Sequence, residues 1–225
     1  MPISLEKGAL FLADAHFHKG LREDLRAFLR SCQAPQLFLM GDIFDLLVGG
    51  VSATIEENRE VIELIDSLEC EVYYLEGNHD FLLGNLFKKC RVLPRAAQPL
   101  IVQADGKRVA LAHGDNFIGG LYAFYIATIQ RRGVISLLEL LNVRGWISKR
   151  IQRYNASKRL CKKIDSFEAI AKERLGFYDA DIVIEGHYHQ AAFYSFDKRT
   201  YINLPSYGCD RRVLRYDGEF SFVRM

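Results

Sequence analysis

The sequence lacks the features that would assign it to a class at once. Its five cysteines are irregularly spaced, and no Cys-x-x-Cys pair suggests structural zinc or redox chemistry. No run approaches the roughly 18 apolar residues of a membrane span, and residues 1–7 lack the charged-then-apolar layout of a signal peptide. These absences favour reduced cysteines and a cytoplasmic protein.

An excess of charge of one sign is also missing. The 225 residues include 30 basic and 28 acidic side chains, for a net charge of +2, so no global field marks the chain as a nucleic-acid binder. About half of the residues are apolar, and the length suits a single domain spanning 1–225. The oligomeric state is left open by the sequence.

What the sequence does contain is an alternation of short apolar runs with amphipathic stretches. The runs Ala9–Ala13, Gln36–Met40 and Val72–Glu76 predict buried strands, and Leu21–Cys32 and Ile55–Leu68 have apolar residues at helical spacing. This is the pattern of a sheet covered by helices, and ligands collect beyond the carboxyl ends of the strands in such sheets.

The second half of the sequence predicts strands that are interrupted by a long helical insertion. Pro99–Ala104 and Lys107–Ala112 predict a hairpin, and Asp181–Glu185 predicts another strand. Between them, residues 117–175 contain no proline and repeat apolar and basic residues at helical intervals, which predicts several inserted helices. Four further strands are predicted near the end of the chain, at Ala191–Phe196, Thr200–Asn203, Arg212–Tyr216 and Phe220–Val223.

Histidines are concentrated at the predicted strand ends. Five of the six lie at predicted strand ends, each within two residues of Asp, Asn, Gly or another His, and imidazole with carboxylate suits Mn, Fe or Zn. Each motif alone is common, but their ordered occurrence after predicted strands indicates a metal centre. Seven candidate ligands are too many for one four-coordinate ion and suit two ions that share a carboxylate. They are Asp14, His16, Asp42, Asn78, His113, His187 and His189.

These ordered motifs, from Asp14 to His189, resemble those of the calcineurin-like metallophosphoesterase superfamily. The resemblance implies an α/β fold, a two-sheet β-sandwich flanked by helices, with a helical cap inserted at about 117–175. It implies two divalent ions, with Asp42 bridging them; manganese is favoured by resemblance, and iron or zinc would accept the same ligands. One ion would be held by Asp14, His16, Asp42 and His189, and the other by Asp42, Asn78, His113 and His187.

Two residues beside these ligands are candidate catalytic groups. His79 is placed to stabilise the transition state of hydrolysis at phosphorus or to protonate the leaving oxygen, and Asp80 to orient it. Asp45 is expected to accept a hydrogen bond from a ligating histidine.

A finer resemblance is to the UDP-2,3-diacylglucosamine pyrophosphatases of lipid A biosynthesis. It is carried by Gly77–Gly84, Arg91–Pro94 and Val109–Asp115, and by a helical insertion at the same place. It implies hydrolysis of the lipid-linked UDP-sugar to 2,3-diacylglucosamine 1-phosphate (lipid X) and UMP. The best-known branch has arginine where this chain has His79 and usually glutamate where it has Asp45, so the substrate of this chain is less well determined than the reaction.

The insertion carries 12 basic and 4 acidic residues, which leaves the remainder of the chain net acidic at −6. This asymmetry favours a diphosphate substrate at an anionic inner-membrane surface, with the protein peripherally bound there. Apolar residues of the same helices, Tyr125 among them, are candidates to line an acyl groove. Asn155, Lys158 and Lys162 would share one helical face if the helix is continuous. The predicted substrate contacts are Asn78, His79, Tyr125, Asn155, Lys158 and Lys162.

Three other interpretations remain open. The chain could hydrolyse a soluble nucleotide or phosphoprotein, which would not need an apolar insertion. It could be a non-catalytic scaffold on the same fold, although such a protein would be expected to lose ligands that are retained here. The inserted helices could simply pack on the core with their basic faces in solvent.

Overall fold

The computed structural model describes residues 3–17, 22–156 and 161–225. The strands are β1 (Ile3–Ser4), β2 (Ala9–Leu12), β3 (Gln36–Leu39), β4 (Leu47–Val48), β5 (Glu71–Leu75), β6 (Asp80–Phe81), β7 (Arg91–Leu93), β8 (Leu100–Ala104), β9 (Lys107–Ala112), β10 (Ile182–Glu185), β11 (Ala192–Phe196), β12 (Arg199–Asn203), β13 (Arg212–Tyr216) and β14 (Phe220–Arg224). The α-helices are α1 (Arg22–Ser31), α2 (Ser52–Asp66), α3 (Gly120–Ile129), α4 (Arg132–Leu141), α5 (Trp146–Ala156), α6 (Phe167–Gly176) and α7 (Tyr207–Asp210).

Two six-stranded sheets form a sandwich, which confirms the predicted fold class. One sheet has the order β14-β13-β2-β3-β5-β7 and the other β1-β8-β9-β10-β12-β11. The aromatic rings of Phe11, Phe38 and Tyr73 stack in a row on the inner face of the first sheet, with centroids 4.7 and 4.8 Å apart. Val109 and Ile184 of the second sheet belong to the same buried cluster. The interior between the sheets therefore excludes water at the centre of the molecule.

Helices cover both outer faces. Leu25 of α1 and Val61 of α2 are buried in one cluster on the first sheet. Phe167 and Ala171 of α6 are buried against Val183 on the second sheet. Although α6 falls inside the predicted insertion, it packs on the second sheet. Residues of α3, α4 and α5 are absent from the described clusters on the two sheets, and Ile135 of α4 packs with Val48 and Phe81 in a separate cluster.

The insertion differs from its prediction in one respect that concerns substrate contacts. Helix α5 ends at Ala156, and Lys162 lies beyond it in non-helical backbone. The proposed common face of Asn155 and Lys162 on one continuous helix is therefore wrong. Lys158, the third member of that set, lies outside the described residues, as does His18.

The cysteines also depart from expectation. Cys161 and Cys209 form a disulfide that links the segment after α5 to α7, whereas the sequence favoured reduced cysteines throughout. Cys32, Cys70 and Cys90 are free thiols. No helix in the described ranges is both long and apolar enough to cross a membrane.

Candidate dimetal site

Parallel pairing brings the predicted ligands to one edge of the sandwich. Strands β2, β3 and β5 run parallel in one sheet, and β9, β10 and β12 run parallel in the other. The carboxyl ends of parallel strands lie at the same edge. The turns after β2, β3 and β5 carry Asp14, Asp42 and Asn78, and those after β9 and β10 carry His113 and His187.

The candidate ligands form two compact groups. Asp14, His16 and His189 have ligand atoms within 4.8 Å of one another, and His189 Nε2 lies 3.0 Å from Asp14 Oδ1. The second group has the same spacing and contains Asp42, with the two histidines His113 and His187. Two neighbouring groups are the arrangement expected for two ions.

Contacts at the second group extend it toward Asn78. The His113 Nε2 atom lies 3.6 Å from Asp42 Oδ2 and 3.3 Å from Asn78 Oδ1. Asp42 belongs to this group and not to the first, so its role as a shared ligand stays a prediction.

One observation tests whether these residues suit metal ions. Both ring nitrogens of His16 are buried, and neither has a hydrogen-bond partner in the part of the chain that the structure describes. A buried polar atom without a partner costs roughly 1–3 kcal/mol. Divalent cations would supply the missing interactions, so the donor set fits them.

Electrostatics favour the protonation states that bind metal at most positions. Burial works against ionisation of Asp14 and Asp42, yet nearby histidines, His189 for Asp14 and His113 for Asp42, hold both pKa values below their usual range. Burial lowers the pKa of His16 and of His187 to about 4, so both imidazoles are neutral at pH 7. His113 is the exception.

Burial alone would lower the pKa of His113, but Asp42, Asp14 and Asp115 outweigh burial and raise it to about 9. In the metal-free protein this histidine therefore carries a proton at neutral pH.

Three glycines each precede a candidate ligand, and glycine is required at these positions for two different reasons. Gly41 has φ +85°, a left-handed conformation that glycine adopts without steric cost. Gly77 and Gly186 are needed for space. A Cβ at Gly77 would lie 2.2 Å from Asp42 Oδ1, and one at Gly186 would lie 2.6 Å from Asp14 Oδ2.

Several candidate ligands themselves have left-handed backbone, which is uncommon outside glycine. Such residues cost of order 1–3 kcal/mol each and are typical of functional sites. They are Asp14 (φ +50°), His16 (φ +43°), Asp42 (φ +51°), His187 (φ +61°) and His189 (φ +59°).

The structure corrects the role predicted for Asp80. Its buried carboxylate accepts hydrogen bonds from the backbone amides of Asp42 (2.9 Å), Ile43 (2.6 Å) and Gly77 (2.9 Å) and from the Tyr74 hydroxyl (2.6 Å). It joins the turn after β3 to the turn after β5. Its hydrogen bonds shape the site, and the His79 ring is oriented by other groups.

The His79 ring lies between the metal ligands and the insertion. Its Nε2 is 4.0 Å from Asp42 Oδ2, and its Nδ1 is 2.8 Å from the backbone carbonyl oxygen of Asp45. The Asp45 side chain forms a further compact group with His16 and His79. His79 thus contacts the ligand set without needing to bind metal.

A cavity of about 710 Å³ opens beside His79 and Asn78 and continues under the insertion. Its lining includes Tyr125 and Asn155, two of the predicted substrate contacts, whereas Lys162 is exposed and lies outside the described lining. The other lining side chains are mainly apolar: Leu46, Val48, Val51, Phe81, Ile129, Ile135, Leu138, Ile147 and Ile151.

Sequence reasoning missed a buried ion pair behind the Gly186–His189 turn. Arg174 of α6 donates to both carboxylate oxygens of Glu185, at 2.9 and 2.6 Å, and the Tyr201 hydroxyl donates to the same carboxylate. Asn203 Nδ2 donates to the carbonyl oxygen of Gly186. Glu185 looked like an ordinary strand terminus, and only its charge inside an apolar run marked it.

Comparison with known proteins gives consistent results. The family model for calcineurin-like phosphoesterases matches residues 9–191. UDP-2,3-diacylglucosamine hydrolase from Haemophilus influenzae is 27% identical over 238 residues, covering 97% of this chain and 99% of the relative. The protein of the same name from Neisseria gonorrhoeae is 28% identical, covering 93% and 94%.

Solved structures with similar folds include an archaeal phosphodiesterase (TM-score 0.48, 14% identity, covering 96% of this chain and 99% of that one). Vps29 from Entamoeba histolytica with bound zinc is also similar (TM-score 0.43, 14% identity, covering 96% and 97%).

Proposed function

Because the chain belongs to the calcineurin-like phosphoesterase family and is a metal-dependent phosphoester hydrolase, we propose that it hydrolyses the diphosphate of UDP-2,3-diacylglucosamine. The products are 2,3-diacylglucosamine 1-phosphate and UMP. The names of its relatives support this substrate class. The observation that carries the proposal is the apolar cavity that begins at the candidate catalytic residues.

The cavity suits acyl chains. Its volume of about 710 Å³ lies within the roughly 300–1,000 Å³ usual for ligand sites. Each methylene buried there would contribute about 0.8 kcal/mol. Asn78 and His79 line one part of it, so a lipid whose acyl chains occupy the cavity would present its phosphates to the metal ligands. A soluble nucleotide would leave this apolar surface unused.

We assign the two ions to the ligand sets that the resemblance implies, with Asp42 shared. When bound, divalent ions generate hydroxide from water near neutral pH and neutralise phosphate oxygens as charge develops. His79 Nε2 faces this centre, and in the imidazolium form, with both ring nitrogens protonated, it would donate to a phosphate or leaving oxygen. Asp80 keeps the turns that carry Asp42 and Asn78 in place. Manganese is our choice of metal, with iron and zinc as the alternatives.

The outer surface of the insertion supports a location at an anionic membrane surface. Large apolar side chains are exposed there, including Leu121 (88% exposed), Phe124 (71%) and Leu140 (76%). Arg131, Arg132, Arg144, Lys149 and Arg150 are exposed in the same insertion. Apolar patches flanked by basic residues are typical of surfaces that bind anionic lipid, at about 1 kcal/mol per basic residue.

An activity comparison tests the substrate. Purified protein with Mn²⁺ is given UDP-2,3-diacylglucosamine in detergent and, separately, bis(4-nitrophenyl) phosphate. We expect kcat/KM for the lipid to exceed that for the aryl diester by at least about 100-fold, because burial of the acyl chains contributes binding energy that the diester lacks. A preference for soluble diesters or nucleotides would instead support the soluble phosphodiesterase.

A cavity variant makes the test specific. Ile129→Trp narrows the cavity, whereas Leu140→Trp enlarges an exposed side chain on the next helix and serves as the matched control. We expect Ile129→Trp to raise KM for the lipid about tenfold and to leave hydrolysis of the aryl diester nearly unchanged. Equal effects of the two variants would contradict acyl binding in this cavity.

A further inference from the structure

We propose that Asn155 is a positioning residue for His79, through which the insertion controls the orientation of the catalytic ring. The sequence suggested that Asn155 contacts the substrate directly. The proposal rests on the catalytic role proposed above for His79. The insertion then has a second role besides lining a cavity, because it contacts and orients His79, a catalytic side chain of the core.

The geometry centres on one backbone carbonyl group. The carbonyl oxygen of Asp45 lies 2.8 Å from His79 Nδ1 and accepts a hydrogen bond of 3.0 Å from Asn155 Nδ2. Asn155 Nδ2 is also 3.2 Å from His79 Nδ1. An amide nitrogen only donates, so the carbonyl oxygen is the acceptor that the two side chains share. Asn155 thus fixes both the acceptor and one side of the ring.

Burial makes these contacts effective. Asn155 is 6% exposed and His79 is 8% exposed, so water competes little for the Asp45 carbonyl. A hydrogen bond between the Nδ1 proton and this carbonyl leaves Nε2 facing Asp42 Oδ2, on the side of the candidate metal ligands. Without Asn155 the carbonyl and the ring lose a shared partner, and the ring can rotate away from that direction. Small misplacements of catalytic groups are costly in rate.

The same helix links this contact to the cavity. Ile147, Ile151 and Asn155 occur at intervals of four residues along α5 and all line the cavity. Residues four apart lie on one helical face. A substrate that packs against Ile147 and Ile151 therefore contacts the face that holds Asn155 in place. Binding energy from a remote part of the substrate can in this way contribute to kcat.

A double-mutant cycle tests the proposal. His79→Ala, Asn155→Leu and the double variant are assayed on both the lipid and bis(4-nitrophenyl) phosphate with saturating Mn²⁺. Leucine branches at the same carbon as asparagine and has no donor, so it keeps the shape of the side chain and removes its hydrogen bonds. We expect Asn155→Leu to lower kcat about tenfold with KM within about twofold. In the His79→Ala background it should have almost no further effect, since coupled residues are not additive.

Asn142 supplies the matched control. It is a second buried asparagine that lines the cavity, and its Oδ1 accepts from the backbone amides of Ile147 and Ser148 at the start of α5. Asn142 supports the helix without touching the ring. The fold reductions in kcat caused by Asn142→Leu and by His79→Ala should therefore multiply in the double variant. ¹⁵N NMR of the His79 ring gives a second measurement, and we expect its signals to shift or broaden in Asn155→Leu.

Three results would overturn the proposal: an Asn155→Leu variant that raises KM and leaves kcat unchanged, effects of Asn155→Leu and His79→Ala that multiply, or a fully active His79→Ala enzyme. If the lipid is not hydrolysed but the cycle on the aryl diester shows coupling, the proposed substrate is wrong and the positioning role stands. If neither substrate is hydrolysed, unchanged His79 ring signals in Asn155→Leu reject the positioning role.

Discussion

Lys163 holds the turn that carries His189: its ammonium group donates to the backbone carbonyl oxygen of His189 and, at 2.9 Å, to that of Gln190. Partial burial of the side chain lowers the pKa of this ammonium group. The lysine follows the disulfide at Cys161, so the segment that returns from the insertion is joined to the metal-ligand turn by hydrogen bonds.

We expect Lys163→Met to weaken binding of the ion proposed to be held by His189, because the turn loses both hydrogen bonds from the ammonium group. The metal concentration that gives half-maximal activity should rise about tenfold, within the 10–100-fold range typical of groups that support a ligand. Titration of metal-free protein with Mn²⁺ measures it. Lys162→Met is the matched control, and a larger effect on lipid KM from Lys162→Met than from Lys163→Met would support the predicted role of Lys162 in substrate binding.

Gly77→Ala should abolish most activity. The added Cβ would lie 2.2 Å from Asp42 Oδ1 and 2.6 Å from its backbone nitrogen, so the turn or the ligand must move. Gly84→Ala is the control, since a Cβ there meets nothing within 4 Å. We expect a loss of kcat of about 100-fold for Gly77→Ala and little change for Gly84→Ala, measured as steady-state rates. Near-equal rates for Gly77→Ala and Gly84→Ala would mean that the turn at Gly77 accommodates the added Cβ.

Asp80→Asn should destabilise the protein more than Tyr74→Phe. The asparagine amide nitrogen would face backbone N–H groups that now donate hydrogen bonds to the carboxylate, leaving buried donors unsatisfied. We expect a loss of about 2–3 kcal/mol for Asp80→Asn and about 1 kcal/mol for Tyr74→Phe. Urea unfolding of the metal-free variants gives both values. Similar stabilities for the two would show that the Asp80 carboxylate contributes no more than its hydrogen bond to Tyr74.

Metal loading should release at least about one proton at pH 7, that of His113, and any bound water that ionises would add to it. Metals bind neutral imidazole; the pKa values of His16 and His187 near 4 leave both rings neutral, whereas His113, at about 9, must lose a proton. Apparent affinity should therefore increase with pH up to about 9. Calorimetric titration in buffers of different ionisation enthalpy counts the protons. Release of none at pH 7 would show that His113 is already neutral or does not bind the ion.

In the metal-free protein, the contribution of His113 to folding stability should decrease as the pH rises, whereas the apparent metal affinity increases. Its folded pKa lies above the unfolded value of 6.5, so its protonation stabilises the fold fully below pH 6.5, and this contribution is lost as the pH rises through about 9. Urea unfolding across this range, with and without Mn²⁺, separates the two effects.

The sequence was sufficient to predict the strands of four or more residues and the convergence of candidate ligands at their ends, but not the shorter strands β1, β4, β6 and β7. Asp14, Asp42 and Asn78 each follow a buried apolar run, and parallel pairing alone then places them together. The role of Asp80 could not be predicted in this way. Its hydrogen-bond donors include backbone amides more than 30 residues away, which carry no side-chain signal. The choice of Lys162 assumed a continuous helix, whereas the backbone at Lys162 is not helical.

The left-handed backbone of Asp14, His16, Asp42, His187 and His189 affects how substitutions at these positions are interpreted. An alanine there removes the ligand and keeps the unfavourable conformation, so any change in folding combines two causes. A glycine removes the ligand and accepts that conformation. Comparing the two replacements at one position separates the energy that a metal ion supplies from the energy stored in the left-handed turn. Alanine scanning alone would report the two energies as a single number.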